Sequence, residues 1–365
     1  MPLKLGMDVR MIQHSGIGVR IQNILKYIRL SDGFEIYLFG NPNTLAKFSI
    51  PRNSIIIPYD AKIYSIAEMF GHPKMKEMDY LDIPHFNVPL IYLSKCIVTI
   101  HDLIPWVMKE FHASIIKRIY LKFILSNIQK YSKKVITVSN HTKSDFIKYF
   151  GTPKNSIETI YNGIDRNLYI PQSHKKILDF KKKYKLPRKY FLSVGIGKGH
   201  KNFDFMIQNF IELWKSKNLE QSLVLAGAYK FEIELLKELP EEFRNKVFTL
   251  PRIEDEEMPS MYQSAEALVY PSLYEGFGFP VIEAQAVGCP VISSKFSVLP
   301  EILRESAIYF DPQSDRDFQN KILEYCNFSE SKKKNFIEMG RSNSNRFSWD
   351  STLGKIQNYY YSLLY

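Results

Sequence analysis

Short apolar runs alternate with amphipathic stretches along this 365-residue chain, and the alternation restarts once, close to residue 190. Such alternation marks βα units wound around a mainly parallel sheet, because each buried strand must be covered by a helix with one apolar face. In the first half, Leu3–Val9, Glu35–Phe39, Ser54–Ile57, Ile97–Ile100, Val135–Val138 and Ser156–Ile160 read as strands. Val19–Leu30, Ile115–Tyr131 and His141–Tyr149 read as helices, Ser139 sits at an N-cap position, and Asn162-Gly163 reads as a turn. The pattern resumes with strands at Phe191–Val194, Leu223–Ala226, Val247–Leu250, Leu268–Tyr270, Val291–Ser293 and Ala307–Phe310, and with helices that include Phe203–Lys215, Asp255–Gln263 and Pro280–Val287. Between the halves, Pro171 to Lys189 reads as a basic linker ending at Leu186-Pro187. The expectation is two α/β domains with mainly parallel sheets, residues 1–170 and 171–348, with the linker 171–190 in the second and a final helix over 349–365.

Charge narrows the choice of partners. The net charge is +11, but residues 1–170 hold 22 Lys and Arg against 13 Asp and Glu, residues 171–190 hold 8 against 1, and residues 191–365 hold 19 against 24. A basic first half suits nucleic acid, an anionic membrane or a phosphorylated acceptor. No zinc-finger or aromatic RNA-binding signature is present, so nucleic acid is not expected. A lysine-rich background composition is the plain alternative. The stretch Phe111 to Lys134 combines Ile115, Ile116, Ile119, Tyr120, Phe123 and Ile124 with Lys117, Arg118, Lys122, Lys130, Lys133 and Lys134. It reads either as a basic amphipathic helix on an anionic membrane or as a crossover helix with a solvated basic face. No apolar run approaches the roughly 18 residues that span a bilayer. Charged residues near Met1 occupy the place of a signal peptide's apolar stretch, so a cytoplasmic protein is expected, peripheral at most on the inner face of the membrane. Cys96, Cys289 and Cys326 lie far apart, with no metal or disulfide spacing. No metal site and no cofactor are expected.

The most informative segment is Pro271-Ser-Leu-Tyr-Glu275-Gly276-Phe277-Gly278-Phe-Pro-Val-Ile-Glu283-Ala-Gln-Ala-Val-Gly-Cys-Pro290. Seven residues separate Glu275 from Glu283. The pattern reads as loop, helix N-terminus, helix, turn and strand. A helix N-terminus presents unpaired N–H groups and partial positive charge, which suits a phosphate. The two carboxylates add acceptors for hydroxyl groups. Together these are the groups of a nucleotide sugar; a solvent-facing Glu283 is the bland alternative. The run resembles the donor signature of the retaining glycosyltransferases of family four, which share the GT-B architecture; the resemblance implies two doubly wound Rossmann-like α/β domains facing each other across a cleft, with the helix over 349–365 packing back on the first.

Further motifs support that resemblance. Val194-Gly195-Ile-Gly-Lys198-Gly-His200-Lys201-Asn202 reads as strand, glycine-rich turn and helix start, able to hold a phosphate. The resemblance implies that Lys201 contacts the donor diphosphate. His200 stands where the family usually has Arg, and Lys198 is the candidate for the missing charge. Gly16-Ile17-Gly18 resembles the family's N-terminal glycine loop, although Val19 separates it from Arg20. His101-Asp102 follows a strand, where ligands of open α/β sheets bind. The resemblance places the His101 side chain near the donor sugar, while Asp102 could cap the next turn. Arg252 matches the segment near the nucleotide base, and Ser297 and Glu301 a weaker downstream part of the signature, with helix capping the alternative for Ser297.

The resemblance implies transfer of a hexose from a nucleoside-diphosphate sugar to a glycan or lipid-linked acceptor, with retention and without a metal. His101, Lys201 and Glu275 are the expected catalytic groups. Gly16, Gly18, Gly195, Lys198, Lys201, Arg252, Glu275, Gly276, Phe277, Gly278 and Glu283 are expected to bind the donor. GDP-mannose is the first choice of donor, by similarity to bacterial surface-polysaccharide mannosyltransferases. A GT-B nucleotide-sugar epimerase and a catalytically silent nucleotide-binding scaffold are the alternatives.

Overall fold

The computed structural model describes residues 1–31, 33–108, 115–195, 198–217, 219–227 and 239–365. The chain divides into two compact units, Met1–Gly163 with Phe347–Tyr365, and Ile164–Arg346. The division falls at Gly163 and Ile164, where the sequence pattern suggests residue 170.

The first unit is built on seven strands: β1 (Leu3–Asp8), β2 (Phe34–Gly40), β3 (Ile55–Pro58), β4 (Tyr80–Ile83), β5 (Cys96–Ile100), β6 (Lys134–Thr137) and β7 (Ile157–Thr159). Their order is β3-β2-β1-β4-β5-β6-β7, and every pairing is parallel. The strand order therefore reverses between β1 and β4, which opens a crevice at their C-terminal ends. The sequence pattern misses β4. Its run Tyr80-Leu81-Asp82-Ile83 carries an acid in mid-strand, and Asp82 is buried beside the fully buried Leu81 and Ile83. The Tyr360 hydroxyl donates to Asp82, which explains how a carboxyl survives in the sheet.

Tyr360 belongs to the helix Trp349–Tyr361, which also buries Trp349, Leu353 and Ile356 within the first unit. Thr352 Oγ1 donates to the Tyr161 carbonyl at 2.8 Å, and the rings of Tyr161 and Phe347 meet edge to face at 5.8 Å. Only glycine fits at residue 163, since a Cβ there would lie 2.2 Å from the backbone nitrogen of Trp349. The helix expected over Val19–Leu30 spans Ser15–Tyr27. Gly16 and Gly18 thus form its first turn, not a loop ahead of it, with the Gly18 N–H bonded to His14 O at 2.7 Å.

The second unit carries β8 (Tyr190–Val194), β9 (Ser222–Ala226), β10 (Val247–Leu250), β11 (Ala267–Tyr270), β12 (Val291–Ser294) and β13 (Ile308–Phe310). The order β10-β9-β8-β11-β12-β13 is again parallel throughout, with its reversal between β8 and β11. Phe191, Phe210, Trp214, Phe310, Phe318 and Tyr325 fill the core on one face. The expected basic linker is a helix, His174–Lys183, capped by Ser173 and anchored by buried Phe180. Its lysines mislead because they lie on the solvent side. Lys183 and Tyr184 both bond Glu257 at 2.8 Å, tying the segment into the second unit. Among the described residues, no helix is long and apolar enough to cross a membrane.

Candidate functional site

In the second unit the two sequence motifs meet. After β8, Gly195 adopts φ +87°, and a short 3-10 turn, Gly199–Lys201, leads to the helix Phe203–Lys217. Asn202 closes the turn in the left-handed region, its amide donating to Pro312 O at 3.0 Å. Lys201 Nζ lies 2.5 Å from Glu275 Oε1 and donates to the Tyr270 hydroxyl at 2.7 Å. The Tyr270 hydroxyl in turn donates to Glu275 Oε1 at 2.9 Å. A lysine ammonium, a phenol and a carboxylate thus close a triangle, two charges and a dipole in one nearly buried place. Burial alone would push the Glu275 carboxyl up, but the neighbouring ammonium outweighs it and holds the pKa below the usual range. For Lys201, burial works against the charge, while Glu275 and Tyr270 prevail and raise the pKa.

The loop that presents Glu275 is pinned by Ser297. Its Oγ accepts from the Glu275 N–H at 3.1 Å and donates to the Glu275 carbonyl at 3.0 Å. Ser297 is therefore a loop clamp and not a helix cap; the residue before the helix Leu299–Leu303 is Val298. Gly278, at φ +86° and ψ +57°, precedes the helix Phe279–Val287. That backbone favours glycine; within the first turn that follows, Pro280 has no N–H and the Val281 N–H bonds Gly278 O at 3.2 Å. Gly276 is buried, and buried Phe277 packs on Phe279 at 5.2 Å between ring centres, so Phe277 supports the loop from inside.

Glu283 lies in the same helix and is not simply solvated. The Tyr262 hydroxyl donates to its Oε2 at 2.7 Å, and Tyr169 is a second hydrogen-bond partner. Burial raises its pKa to about 7 against the opposing effect of both tyrosines. Lys198 and Arg252 are exposed, Arg252 just past β10, while His200 is buried and its carbonyl accepts from Leu273 N–H at 2.8 Å. Lys201 and Glu275 are thus in direct contact, with Gly195 beside the Lys201 stem, whereas Lys198 and Arg252 join no contact of this triangle.

Gly16, Gly18 and His101 belong to the first unit. His101 follows β5, its Nε2 bonding Pro84 O at 3.0 Å, and burial together with the Arg20 charge lowers its pKa to about 3. It is a neutral imidazole at any ordinary pH. Asp102 Oδ1 accepts from Ile104 N–H at 3.0 Å, bracing the turn that leads into the short helix Ile104–Val107. Arg20 is buried and donates to Asn162 Oδ1 at 2.7 Å. A polar cluster that the sequence reading did not single out stands at the β1–β4 crevice. Arg10 forks onto Asp8 at 2.6 Å and reaches Glu68 at 2.8 Å, Asn87 donates to Glu68 at 3.2 Å, and His85 lies 3.4 Å from Asp8. The signal was available in Asp8-Val9-Arg10, charges at the end of an apolar strand.

Comparison with known proteins fits this geometry. Residues 174–343 match the family model of glycosyl transferases group 1, and residues 83–168 match that of glycosyltransferase family 4. The chain is 32% identical over 240 residues to the O-antigen chain mannosyltransferase RfbU of Salmonella typhimurium, covering 65% of this chain and 62% of RfbU. It is 28% identical over 299 residues to the O-antigen chain mannosyltransferase B of Escherichia coli, covering 79% of this chain and 77% of that enzyme. The sucrose-phosphate synthase of Thermosynechococcus elongatus shares the fold, with a TM-score of 0.79 at 18% identity over 99% of both chains. Both matched models describe glycosyltransferases, neither spans half of the chain, and the fold is that of the GT-B structures.

Proposed function

We propose that this protein is a retaining, metal-independent mannosyltransferase of surface-polysaccharide synthesis, taking mannose from a nucleoside-diphosphate donor, GDP-mannose first, to a glycan or lipid-linked acceptor. The observation that carries the reading is the Lys201–Glu275–Tyr270 triangle beside the Gly278 helix start. In the reaction, negative charge grows on the departing diphosphate. Lys201 and the N–H groups near Gly276–Gly278 are the groups that stabilise it, each charge-assisted bond contributing about 1.5–3 kcal/mol. Glu275, pinned by Ser297, accepts from hydroxyls of the sugar. Glu283 accepts from the nucleotide ribose. The leaving phosphate takes the acceptor proton on the face it vacates, which accounts for retention without an enzymatic nucleophile. The matches to two O-antigen mannosyltransferases support the choice of sugar and pathway. The basic first half, and a lipid-linked acceptor, support a peripheral place at an anionic membrane.

The division of labour is tested with two ligands. Glu283→Gln is expected to weaken free nucleoside diphosphate and intact nucleotide sugar alike, and Glu275→Gln only the intact sugar. Equal losses for both ligands in both variants would remove the assignment. A thermal-shift screen of nucleotide sugars should respond first to GDP-mannose.

Glu283 also predicts a pH dependence. Its folded pKa is raised, so the folded state holds the extra proton, and stability falls as pH rises from the ordinary carboxylate value towards about 7. Ligand binding runs the other way, since the ionised carboxylate is the better acceptor for ribose hydroxyls. Nucleotide affinity is expected to increase several-fold across pH 7, on the order of one charge-assisted bond. A Glu283→Gln variant should give a flat profile, and an equally sloped one would assign the dependence elsewhere.

Among the described residues no group of three or more His, Cys, Asp or Glu is placed to hold a metal ion. Full transfer activity is expected after exhaustive chelation. Activity lost with chelator and restored by magnesium or manganese would contradict the metal-independent reading.

A further inference from the structure

Tyr270 closes β11, which lies between β8 and β12 in the sheet of the second unit, and it pairs there with Ser293. It is 1% exposed, so its ring cannot swing out to solvent. A buried phenol needs a partner for its hydroxyl, and this one has two. It accepts from Lys201 Nζ at 2.7 Å and donates to Glu275 Oε1 at 2.9 Å. The same ammonium lies 4.9 Å from the ring centre, where the electron-rich face attracts it as well. Burial, joined by the Glu275 charge, holds the phenol's pKa above its ordinary value, so the hydroxyl keeps its proton.

This arrangement sets a condition on donor binding. Lys201 Nζ is 2.5 Å from Glu275 Oε1, so a carboxylate already neutralises the charge that a diphosphate needs. Drawing the ammonium towards phosphate leaves Glu275 buried with its charge uncompensated, which is costly. The two side chains differ in their freedom to respond. Glu275 is fixed at its backbone, where Ser297 holds both the N–H and the carbonyl. The end of Lys201 runs past Gly195, which puts no side chain against it; an added Cβ would lie 3.6 Å from Cε and 3.7 Å from Nζ. Lys201 is therefore the member that moves, and Glu275 the member that must stay satisfied in place. The Tyr270 hydroxyl is a donor already set on Oε1 by its strand. Donating to Glu275 does not depend on accepting from Lys201, since a phenol oxygen does both at once.

We propose that Tyr270 is a positioning residue of the diphosphate site: its hydroxyl holds the Glu275 carboxylate in place while the Lys201 ammonium turns to the donor. This deepens, and rests on, the reading of Lys201 as the diphosphate contact. Tyr270→Phe keeps the ring and removes the donor. Glu275 then has a stronger claim on the ammonium and competes with the phosphate for it. A loss of packing alone has no such dependence on the carboxylate, and this difference can be measured.

Calorimetric titration of the full chain with GDP and with UDP tests the assignment, circular dichroism confirming that each variant is folded. Tyr270→Phe is expected to bind the diphosphate that the wild type takes up roughly tenfold more weakly, the scale of one charge-assisted bond. In a Glu275→Gln background the same change is expected to cost less than about twofold, because no carboxylate is left to reclaim the ammonium. An equal loss in both backgrounds would reduce Tyr270 to packing and overturn the proposal. Wild-type affinity in Tyr270→Phe would overturn it as well, while leaving the donor reading standing. A wild type that takes up neither GDP nor UDP would overturn the donor reading itself, and the proposal with it.

Discussion

Lys201→Met is expected to lower glycosyl transfer by roughly a hundredfold or more, the usual cost of losing one charge-stabilising donor at a growing anion. It should also destabilise the second unit, because Glu275 is left buried opposite an apolar side chain, and breaking a buried pair costs about 3–5 kcal/mol. The two effects can be separated. Lys201→Met combined with Glu275→Gln removes both charges, so stability should largely return while transfer stays lost. Wild-type turnover in a well-folded Lys201→Met variant would move the phosphate site elsewhere, with exposed Lys198 the first suspect. The pair also sets a pH window. The lowered folded pKa of Glu275 gives stability that is present above the ordinary carboxylate value and lost as pH falls through the folded one. The raised folded pKa of Lys201 gives stability that is present below the ordinary lysine value and lost as pH rises through the folded one. The pair therefore holds across the neutral range.

The second large effect concerns the helix Trp349–Tyr361. A chain ending at Ser348 is expected to lose the folded first unit while the second keeps its structure. Trp349, Leu353, Ile356 and Tyr360 are buried there. At about 1.5–3 kcal/mol each, their loss amounts to roughly 6–12 kcal/mol, the size of a whole domain's stability. The loss also strands Asp82, which accepts from the Tyr360 hydroxyl. Limited proteolysis read by mass spectrometry is the direct check. Residues 1–163 should be digested and 164–346 protected. A shortened chain whose first unit resists protease as the wild type does would show the helix to be dispensable.

Much of this was legible because period and spacing act locally. All six strands of the second unit follow apolar runs, and the segment from Glu275 to Glu283 foretold both the loop and the helix. What stayed hidden depends on partners far away in sequence. Strand β4 escaped because Asp82 reads as a breaker until Tyr360, 278 positions later, supplies its hydrogen bond. Tyr270 looked like the last residue of a strand, and only the fold brings its hydroxyl between Lys201 and Glu275. Tyr169 and Tyr262 were equally silent, although both bond Glu283 and oppose the rise that burial imposes on its pKa. The basic run at 171–190 was read by composition as a linker, whereas one buried residue, Phe180, is enough to seat it as a helix.

The composition of the first unit from two separated pieces of chain has a consequence for biosynthesis. Residues 164–346 are translated between the pieces. At ~5–20 residues per second, this interval lasts roughly 10–40 s. Throughout it, the nascent sheet of residues 1–163 has Asp82 and the surface awaiting Tyr360 open to water and to chaperones. The second unit can close as soon as it emerges, while the first waits for residues 347–365. The first unit is thus completed after the second.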